Sequence, residues 1–541
     1  MHVAAARFTN HNHQWTNNGG RTEKFLSLTF PYARNDWSSM RLSASSSPGT
    51  LLLHLLAIAG LASFMLLITW DNHTMLPIES TAWATEQWGR GADPSRFRLQ
   101  AEWLKDGYGY REVQAEGSYC TSLPPGYPVI LSGLLLITDD IEAIRVMQGC
   151  LLVIVGLLIF MTSRRIFPLL AYPITGCILI SPWMTAITTL IMSESFGIIV
   201  SCLLALSLCR ALQFRDRGVW PIMAAFLCSV LTFVSTGLAP VCLGVVLSLT
   251  WEYRTNRRIM ASCLLAAGIP MLLWQFHCIN ATGTPAVTLL KELNVPSASA
   301  YRSWMRTWAG SVEDYFLYLG PIEWTEPMDF SRLPARAFDS AEQQEKLISL
   351  SWRMAEDGVT ASERAQISNE IRRWMVESSA RRSQADFFRC SVTLPLARAV
   401  DAVTGMHQPS NTGTGLVQST MLARLLPNVF WREVKEFGIL RATFRACGGG
   451  YAATAFLMFY MTRALVLTGI IYGLASRRAV PIAIVFGTLA FFFVHGYLGP
   501  EFRRSLPAFP LIIMVPIITR CYRQHDEAGH TTDLSSADSE E

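Results

Sequence analysis

The stretch "LLLHLLAIAGLASFMLLITW", residues 51–70, contains no Asp, Glu, Lys or Arg. A helix rises about 1.5 Å per residue and the hydrocarbon core of a bilayer is about 30 Å thick, so about 20 apolar residues are enough to cross it. In the whole chain of 541 residues, 51% are hydrophobic and only 16% are charged, against about 25% charged in an average soluble domain. The stretch is therefore predicted to be a transmembrane helix.

Apolar runs of similar character recur along the chain and predict about ten transmembrane helices. Because backbone polar groups in lipid are satisfied only in helices or closed barrels, the expected fold is an all-α polytopic membrane protein. The predicted spans are residues 51–70, 142–162, 166–185, 195–209, 219–235, 238–251, 259–277, 451–475, 480–498 and 505–519.

Positive charge near the ends of the spans predicts their orientation. With the N-terminus placed inside, the inner loops carry arginines in pairs and triplets, whereas the outer loops around 186–194 and 235–237 contain no Lys or Arg. Both termini are then cytosolic, and the long segments 71–141 and 278–450 lie outside. The formal net charge of +4 does not indicate a nucleic-acid partner.

The predicted organisation follows from these spans and from composition. The polar ends of the chain are expected to be disordered. The segments are a cytosolic tail over 1–50, a transmembrane core over 51–277 with its first outer loop at 71–141, an outer loop domain over 278–450, C-terminal transmembrane helices over 451–519, and an acidic cytosolic tail over 520–541.

The first outer loop contains an amphipathic stretch, "DPSRFRLQAEWLKDGYGY", that begins at Asp93. An acid followed by proline is typical of a helix start, because the carboxylate accepts from free backbone N–H groups and proline suits the first turn. Phe97, Ala101 and Leu104 recur at helical spacing, and Gly107 is expected to end the helix. The pattern alone leaves two interpretations open: Asp93 as the cap of a helix lying on the membrane surface, or Asp93 as a catalytic acid.

A second short helix is predicted later in the same loop, in "SLPPGYPVILSGLLLI". The apolar run after Tyr127 is only about eleven residues long, which is too short to cross a bilayer. Counting it as a span would also place the arginine pairs on the wrong side. It is therefore predicted to be a second interfacial helix.

These two segments resemble the first outer loop of the GT-C glycosyltransferases, membrane enzymes that take a sugar from a polyprenyl-phosphate donor and include protein mannosyltransferases and bacterial aminoarabinose transferases. The pattern is D-x-x-x-[YF]-x-x-x-A-x-x-L-x-x-G-x-G-Y followed by P-P-G-Y-P. The matching residues are Asp93, Phe97, Ala101, Leu104, Gly107, Tyr110, Pro124, Pro125, Gly126, Tyr127 and Pro128.

Two further segments carry the resemblance, which covers residues 51–277 and 451–519. In "TLIMSESF", Glu194 stands at the acidic position of the family's second outer loop. The third motif, "PEFRRSLPAFP", is similar to the family's E-x-R-Y-x-L-P-x-[YF]-P, with Arg504 in place of the usual tyrosine. The residues of the third motif that match are Glu501, Arg503, Pro507 and Pro510.

The resemblance implies roles for these residues. Asp93 would be the general base, and Glu194 would orient the acceptor or bind a divalent cation; no other cofactor is implied. Many relatives carry Lys or Arg where Leu123 stands here, so Arg503 and Arg504 become the candidates for holding the donor phosphate. Further substrate-loop candidates are Tyr110, Pro124, Pro125, Tyr127 and Glu501.

Alternatives for these residues remain open. Arg503 and Arg504 would also suit lipid head groups at the membrane surface. Ser193 would cap a helix and leave Glu194 in its first turn, where the helix dipole favours an acid. No Cys-x-x-Cys or His-x-x-x-His spacing occurs, so no structural metal is predicted.

The outer segment 278–450 is expected to be mostly helical. Capping boxes are predicted at Ser340 with Gln343 and at Thr360 with Glu363. A following face of Ile367, Ile371 and Met375 has helical spacing. This segment is expected to cover the site and to contribute acceptor selectivity.

The resulting hypothesis is a bacterial inner-membrane glycosyltransferase whose site faces the periplasm. Its partners would be a polyprenyl-phosphate-linked sugar, a glycan, lipid or protein acceptor with a hydroxyl group, and membrane lipids. The alternative from another class is a transporter or flippase of lipid-linked sugars, which would be expected to place charged or broken helices at mid-membrane. A non-catalytic membrane scaffold is the third choice.

Overall fold

A computed structural model describes residues 48–75, 93–110, 125–181, 184–185, 188, 191–214, 217–282, 296–310, 330–356, 358–404, 434–435, 439–498 and 506–524, some of them by their backbone alone. The predicted disordered tail 1–50 lies outside the described residues except for 48–50, which are helical. The predicted disordered tail 520–541 is described over 520–524 alone, and there the prediction is wrong, because these residues are helical and Cys521 and Tyr522 are buried. Residues Met1–Leu51 form a unit separate from Leu52–Glu541, and the packing below is that of the second unit.

All regular secondary structure in the described residues is helical. The helices outside the segment 278–450 are α1 (Pro48–Met75), α2 (Asp93–Lys105), α3 (Gly126–Leu135), α4 (Ile141–Ile166), α5 (Pro168–Leu179), α6 (Ser193–Gln213), α7 (Val219–Val234), α8 (Ala239–Glu252) and α9 (Arg257–Thr282). The C-terminal part contains two more helices, numbered after those of the outer segment: α14 (Ile439–Ala475) and α15 (Ala479–Leu498). A last apolar helical segment, Leu506–Gln524, begins with a 3-10 turn.

Within the part of the chain that the structure describes, five segments are both long and apolar enough to cross a membrane, which makes this a helical membrane protein. They are Pro48–Leu67, Ile141–Ile166, Ser193–Gln213, Arg257–Asn280 and Leu506–Gln524. Three of the other predicted spans coincide with shorter apolar helices, Pro168–Leu179, Val219–Val234 and Thr236–Glu252. The last two lie in α14 and α15, of which Tyr460–Ala475 and Ala479–Phe493 are described as apolar segments. The 16 residues of α7, for example, reach only about 24 Å. The crossing of these five helices stays a prediction.

The predicted span 166–185 is the one that differs most from the structure. Helix α5 has a proline at its start and Pro173 in its interior, and it ends at Leu179. A proline inside a helix removes one hydrogen bond and crowds the preceding turn. The 12 residues of α5 would cover about 18 Å of a bilayer.

Helix α6 is the central helix of the bundle and is buried on nearly all sides. It packs against α4, α7 and the 3-10 turn Leu506–Ala508. The short segment 214–218 connects α6 to α7, so these two helices run in opposite directions. The start of α6 therefore lies beside the end of α7.

One end of the bundle, called the arginine end, gathers the predicted inner loops. The Tyr253 hydroxyl, just after α8, donates to the backbone carbonyl of Ala211 near the end of α6 at 2.8 Å. The Tyr522 hydroxyl donates to Glu252 at 3.1 Å, and the Arg478 guanidinium lies 5.3 Å from the Tyr522 ring centroid. The ends of α6, α8 and the last apolar segment thus meet at one end of the bundle together with Arg478. The side of the membrane that this end faces stays a prediction.

The outer segment is mostly helical over its described residues. Its helices are α10 (Pro296–Met305), α11 (Ala341–Ala355), α12 (Ala361–Ala385) and α13 (Leu394–Thr404), with a π-turn at Arg389–Thr393. Helices α10, α11 and α12 enclose a separate apolar core, in which Trp304 contacts the rings of Trp308, Phe338 and Trp374.

The predicted helix starts in this segment can be checked against individual hydrogen bonds. The capping box of Thr360 with Glu363 is confirmed in both directions. Ser340 accepts from the backbone N–H of Gln343, but the Gln343 side chain accepts from the N–H of Asp339 instead of completing the box on Ser340. The predicted buried face of Ile367, Ile371 and Met375 is confirmed.

Candidate functional site

The amphipathic stretch of the first outer loop forms helix α2, which begins at Asp93 and ends at Lys105. Gly107 and Gly109 follow with φ of 80° and 77°. This left-handed backbone suits glycine and terminates the helix, as predicted. The residue before Asp93 and the side chain of Asp93 both lie outside the described residues, so both interpretations of this acid stand.

Helix α2 packs against α3, the second short helix of the same loop. The shared core contains Phe97 and Ala101 from α2 and Tyr127 and Leu131 from α3. The Phe97 and Tyr127 rings meet edge to face with centroids 5.1 Å apart, a preferred geometry for aromatic pairs. The two predicted interfacial helices thus form one packed unit.

Tyr127 connects this unit to the transmembrane bundle. Its hydroxyl accepts a hydrogen bond from the Gln148 side-chain amide of α4 at 2.9 Å, and its ring lies 5.9 Å from that of Phe196 in α6. Both Tyr127 and Gln148 are fully buried. Burial raises the pKa of Tyr127, the hydrogen bond from Gln148 opposes this shift, and the negative charge of Glu194 adds to it. Tyr127 is therefore a buried, neutral side chain that links the outer-loop unit to α4 and α6.

Glu194 lies in the first turn of α6 and is buried, with only 5% of its surface exposed. The Ser193 hydroxyl donates to the Glu194 carboxylate at 3.1 Å. The interpretation of Ser193 as the helix cap is wrong, because the helix already begins at Ser193 and the cap position is Met192, which makes no side-chain cap bond. The acid lies in the first turn of α6, as predicted.

Two glycines allow motif segments to lie close to their neighbours, Gly126 against α7 and Gly197 against the third motif. A Cβ on Gly126, in P-P-G-Y-P, would lie 2.7 Å from the backbone carbon of Phe233 at the end of α7. A Cβ on Gly197, directly after the second motif, would lie 2.8 Å from Cγ of Pro507 in the third motif. Residues of all three motifs therefore meet at one end of the bundle, here called the motif end.

A second aromatic group at the motif end contains Tyr110, a predicted site residue, together with Trp274 and His277, which were not predicted. Tyr110 is buried, and its ring lies 5.3 Å from that of Trp274 and 6.4 Å from that of His277, both near the end of α9. The Trp274 and His277 rings stack with centroids 5.3 Å apart. An imidazole suits proton transfer or anion binding. A histidine close to the outer end of a predicted span was the available signal.

Of the remaining predicted site residues, Pro125 alone is among the described residues. Pro125 is buried directly before α3. The predictions for Pro124, Leu123, Glu501, Arg503 and Arg504 fall outside the described residues. Within the described residues, no three His, Cys, Asp or Glu side chains gather into a group able to hold a metal ion.

Comparison with protein-family models, with curated proteins and with solved structures finds no match to this chain.

Proposed function

We propose that this chain is a membrane glycosyltransferase that moves a sugar from a polyprenyl-phosphate donor to an acceptor hydroxyl. The observation that carries the proposal is the meeting of three motif segments that are far apart in sequence. Tyr127 contacts Phe196, and Gly197 lies against Pro507. An arrangement that depends on such distant segments supports a shared role for them at the motif end.

The reaction requires a carboxylate beside the acceptor oxygen, to accept its proton. The acceptor oxygen forms a bond to the anomeric carbon of the sugar, while the bond from that carbon to the phosphate oxygen breaks. Asp93 takes the proton of the acceptor hydroxyl as general base. Polyprenyl phosphate departs with the bonding electron pair, and cationic groups stabilise the charge that develops on it.

Glu194 has the features expected of a fixed acid in such a site. It is held by the Ser193 hydroxyl in the first turn of a buried helix, so its position varies little. In the proposal it orients the acceptor or binds a divalent cation. Arg503 and Arg504 bind the donor phosphate, because guanidinium groups match phosphate oxygens in geometry and charge.

A sugar-transfer assay tests this proposal, with the purified protein reconstituted in liposomes that contain radiolabelled polyprenyl-phosphate sugars. A panel of donors and of extracted envelope lipids and glycans as acceptors is offered, and the product is identified by mass spectrometry. The proposal expects loss of the donor together with a new glycosylated acceptor. Movement of intact donor across the bilayer without its consumption would support the flippase alternative and contradict the enzyme.

A further inference from the structure

Four large apolar side chains near the end of the outer segment are exposed. They lie where the chain passes from α12 through the π-turn into α13. Their exposed fractions are 69% for Phe387, 68% for Phe388, 50% for Leu396 and 47% for Val400. Leu396 and Val400 are four residues apart in one helix and share a face. We call these four residues the apolar foot.

The apolar foot belongs to a helix that lies against the transmembrane bundle. Helix α13 packs along α15, and Ala399 on its inner side is part of the main apolar core of the bundle. Helix α15 itself leaves Phe486 and Leu489 exposed. The apolar foot thus lies partly on α13, which packs against α15. Helix α15 is a bundle helix that also exposes large apolar side chains.

A buried arginine fixes the opposite side of the same helix. Arg398 is fully buried, and its guanidinium donates to the backbone carbonyls of Arg306 and Ala309 at 3.3 Å and 2.7 Å. These carbonyls follow the end of α10, where helix carbonyls lack partners within the helix and a cation is favourable. Helix α13 therefore contacts both the residues after α10 and helix α15, and these contacts fix its orientation. Leu396 and Val400 of the apolar foot lie on its exposed face.

We propose that the apolar foot is seated in the lipid bilayer and anchors the outer segment to the membrane surface. Phenylalanine and aliphatic side chains on an amphipathic helix bury in the boundary between head groups and acyl chains. Arg389, exposed directly beside the two phenylalanines, supplies a cation for lipid phosphates. Lipid is the occupant because the foot is fixed to α15, a helix of the membrane bundle with exposed apolar side chains of its own.

Photo-crosslinking in native membranes tests the proposal on the full chain. Benzoylphenylalanine replaces Phe388, whose ring it resembles, and in a separate variant Leu396. The control is the same replacement at Trp352 in α11, which is equally exposed at 68% but belongs to a helix that packs within the outer segment. Mass spectrometry then identifies the crosslinked species.

The proposal expects phospholipid adducts at positions 388 and 396 and at least about tenfold fewer at 352. A crosslink from either foot position to a second copy of this chain or to another polypeptide would overturn it. Absence of adducts at both foot positions would place the foot in water and would also overturn it. Equal lipid labelling at positions 352 and 388 would show that lipid contact is not specific to the apolar foot and would also overturn the proposal. None of these outcomes depends on glycosyl transfer.

Discussion

Gly197 in α6 and Pro507 in the last apolar segment touch so closely that a Cβ on the glycine would lie 2.8 Å from Cγ of the proline. Real Cβ atoms are essentially never found so near another heavy atom. The contact holds the third motif against the second, with Glu194 one helical turn away on α6. A side chain at position 197 would therefore separate these two motifs.

Replacement of Gly197 with alanine is expected to lower stability by about 1–3 kcal/mol, the usual effect of overpacking a tight core. The thermal unfolding midpoint of the purified protein measures the change. Gly133→Ala in α3 is the matched control, because nothing lies within 4 Å of a Cβ built there. Alanine inside a helix is favoured over glycine by about 0.5–1 kcal/mol. Equal effects of the two substitutions would contradict the contact.

Tyr127 and Gln148 offer a test of how the outer loop is held to the bundle. Tyr127→Phe keeps the ring contacts with Phe97 and Phe196 but removes the hydrogen bond from Gln148. The expected loss of stability is about 1–3 kcal/mol, since a buried amide loses a partner.

A double-mutant cycle isolates this hydrogen bond. Tyr127→Phe, Gln148→Leu and the double variant are compared by thermal unfolding under the same conditions. A coupling free energy of about 0.5–1.5 kcal/mol is expected for a hydrogen bond of this kind. Strictly additive effects would show that the two side chains do not interact in the folded protein.

The local features of the site could be predicted from the sequence because short-range patterns determine them. Asp93 with Pro94 marked the start of α2, Gly107 marked its end, and Thr360 with Glu363 marked the start of α12. Each of these depends on residues within a few positions of one another. The error at Ser193 was a shift of a single residue at a helix start, where boundaries are least certain.

The tertiary features could not be read from the sequence because they join segments hundreds of residues apart. Gln148 occurs in an apolar helix, and nothing near it indicates that Tyr127 is its partner. The position of α13 against α15 is another case, since the loop pattern suggested a domain wholly outside the membrane region. The burial of Tyr127, which the resemblance suggested as a substrate contact, is a third case.

Asp339 should give the outer segment a pH-dependent stability. Its carboxylate accepts from Arg382 at 2.5 Å, Ser378 at 3.1 Å and Arg381 at 3.2 Å. Partial burial acts to raise the pKa of Asp339, but the hydrogen bond and charge of Arg382, aided by Ser378 and Arg381, hold this pKa below its usual value. The folded segment therefore favours the ionised carboxylate more than the unfolded chain does.

The sign of the pH dependence follows from this lowered pKa. The stabilisation is fully present above the pKa of Asp339 in the unfolded chain, about 3.9. It is lost as the pH falls through the lower pKa of Asp339 in the folded protein. Asp339→Asn should lower the free energy of opening of α12 at pH 6 by about 1–3 kcal/mol. Faster amide hydrogen exchange in α12 measures this change. The difference from the unmodified protein should shrink below about pH 4.

Glu370→Gln is the control for the Asp339 prediction. Glu370 pairs with Lys346 at 2.9 Å, but both side chains are largely exposed. Exposed ion pairs contribute about 0–1 kcal/mol, so hydrogen exchange in α12 should change little at any pH. A difference between Asp339→Asn and the unmodified protein that stays constant down to pH 3 would contradict the assigned role of the carboxylate.

Asp93→Asn separates the two interpretations of the acid at the start of α2. Asparagine replaces aspartate as a helix cap at little cost, because both side chains accept from backbone N–H groups. An amide cannot act as a general base, and loss of such a base typically lowers the rate by about 10²–10⁴. The variant should insert and accumulate normally, while sugar transfer in the reconstituted system falls by at least about a hundredfold. Asp106→Asn, just after the end of the same helix and exposed, is the matched control and should transfer sugar normally. Near-normal transfer by purified Asp93→Asn would leave Asp93 with a capping role alone and would require a different base for the reaction.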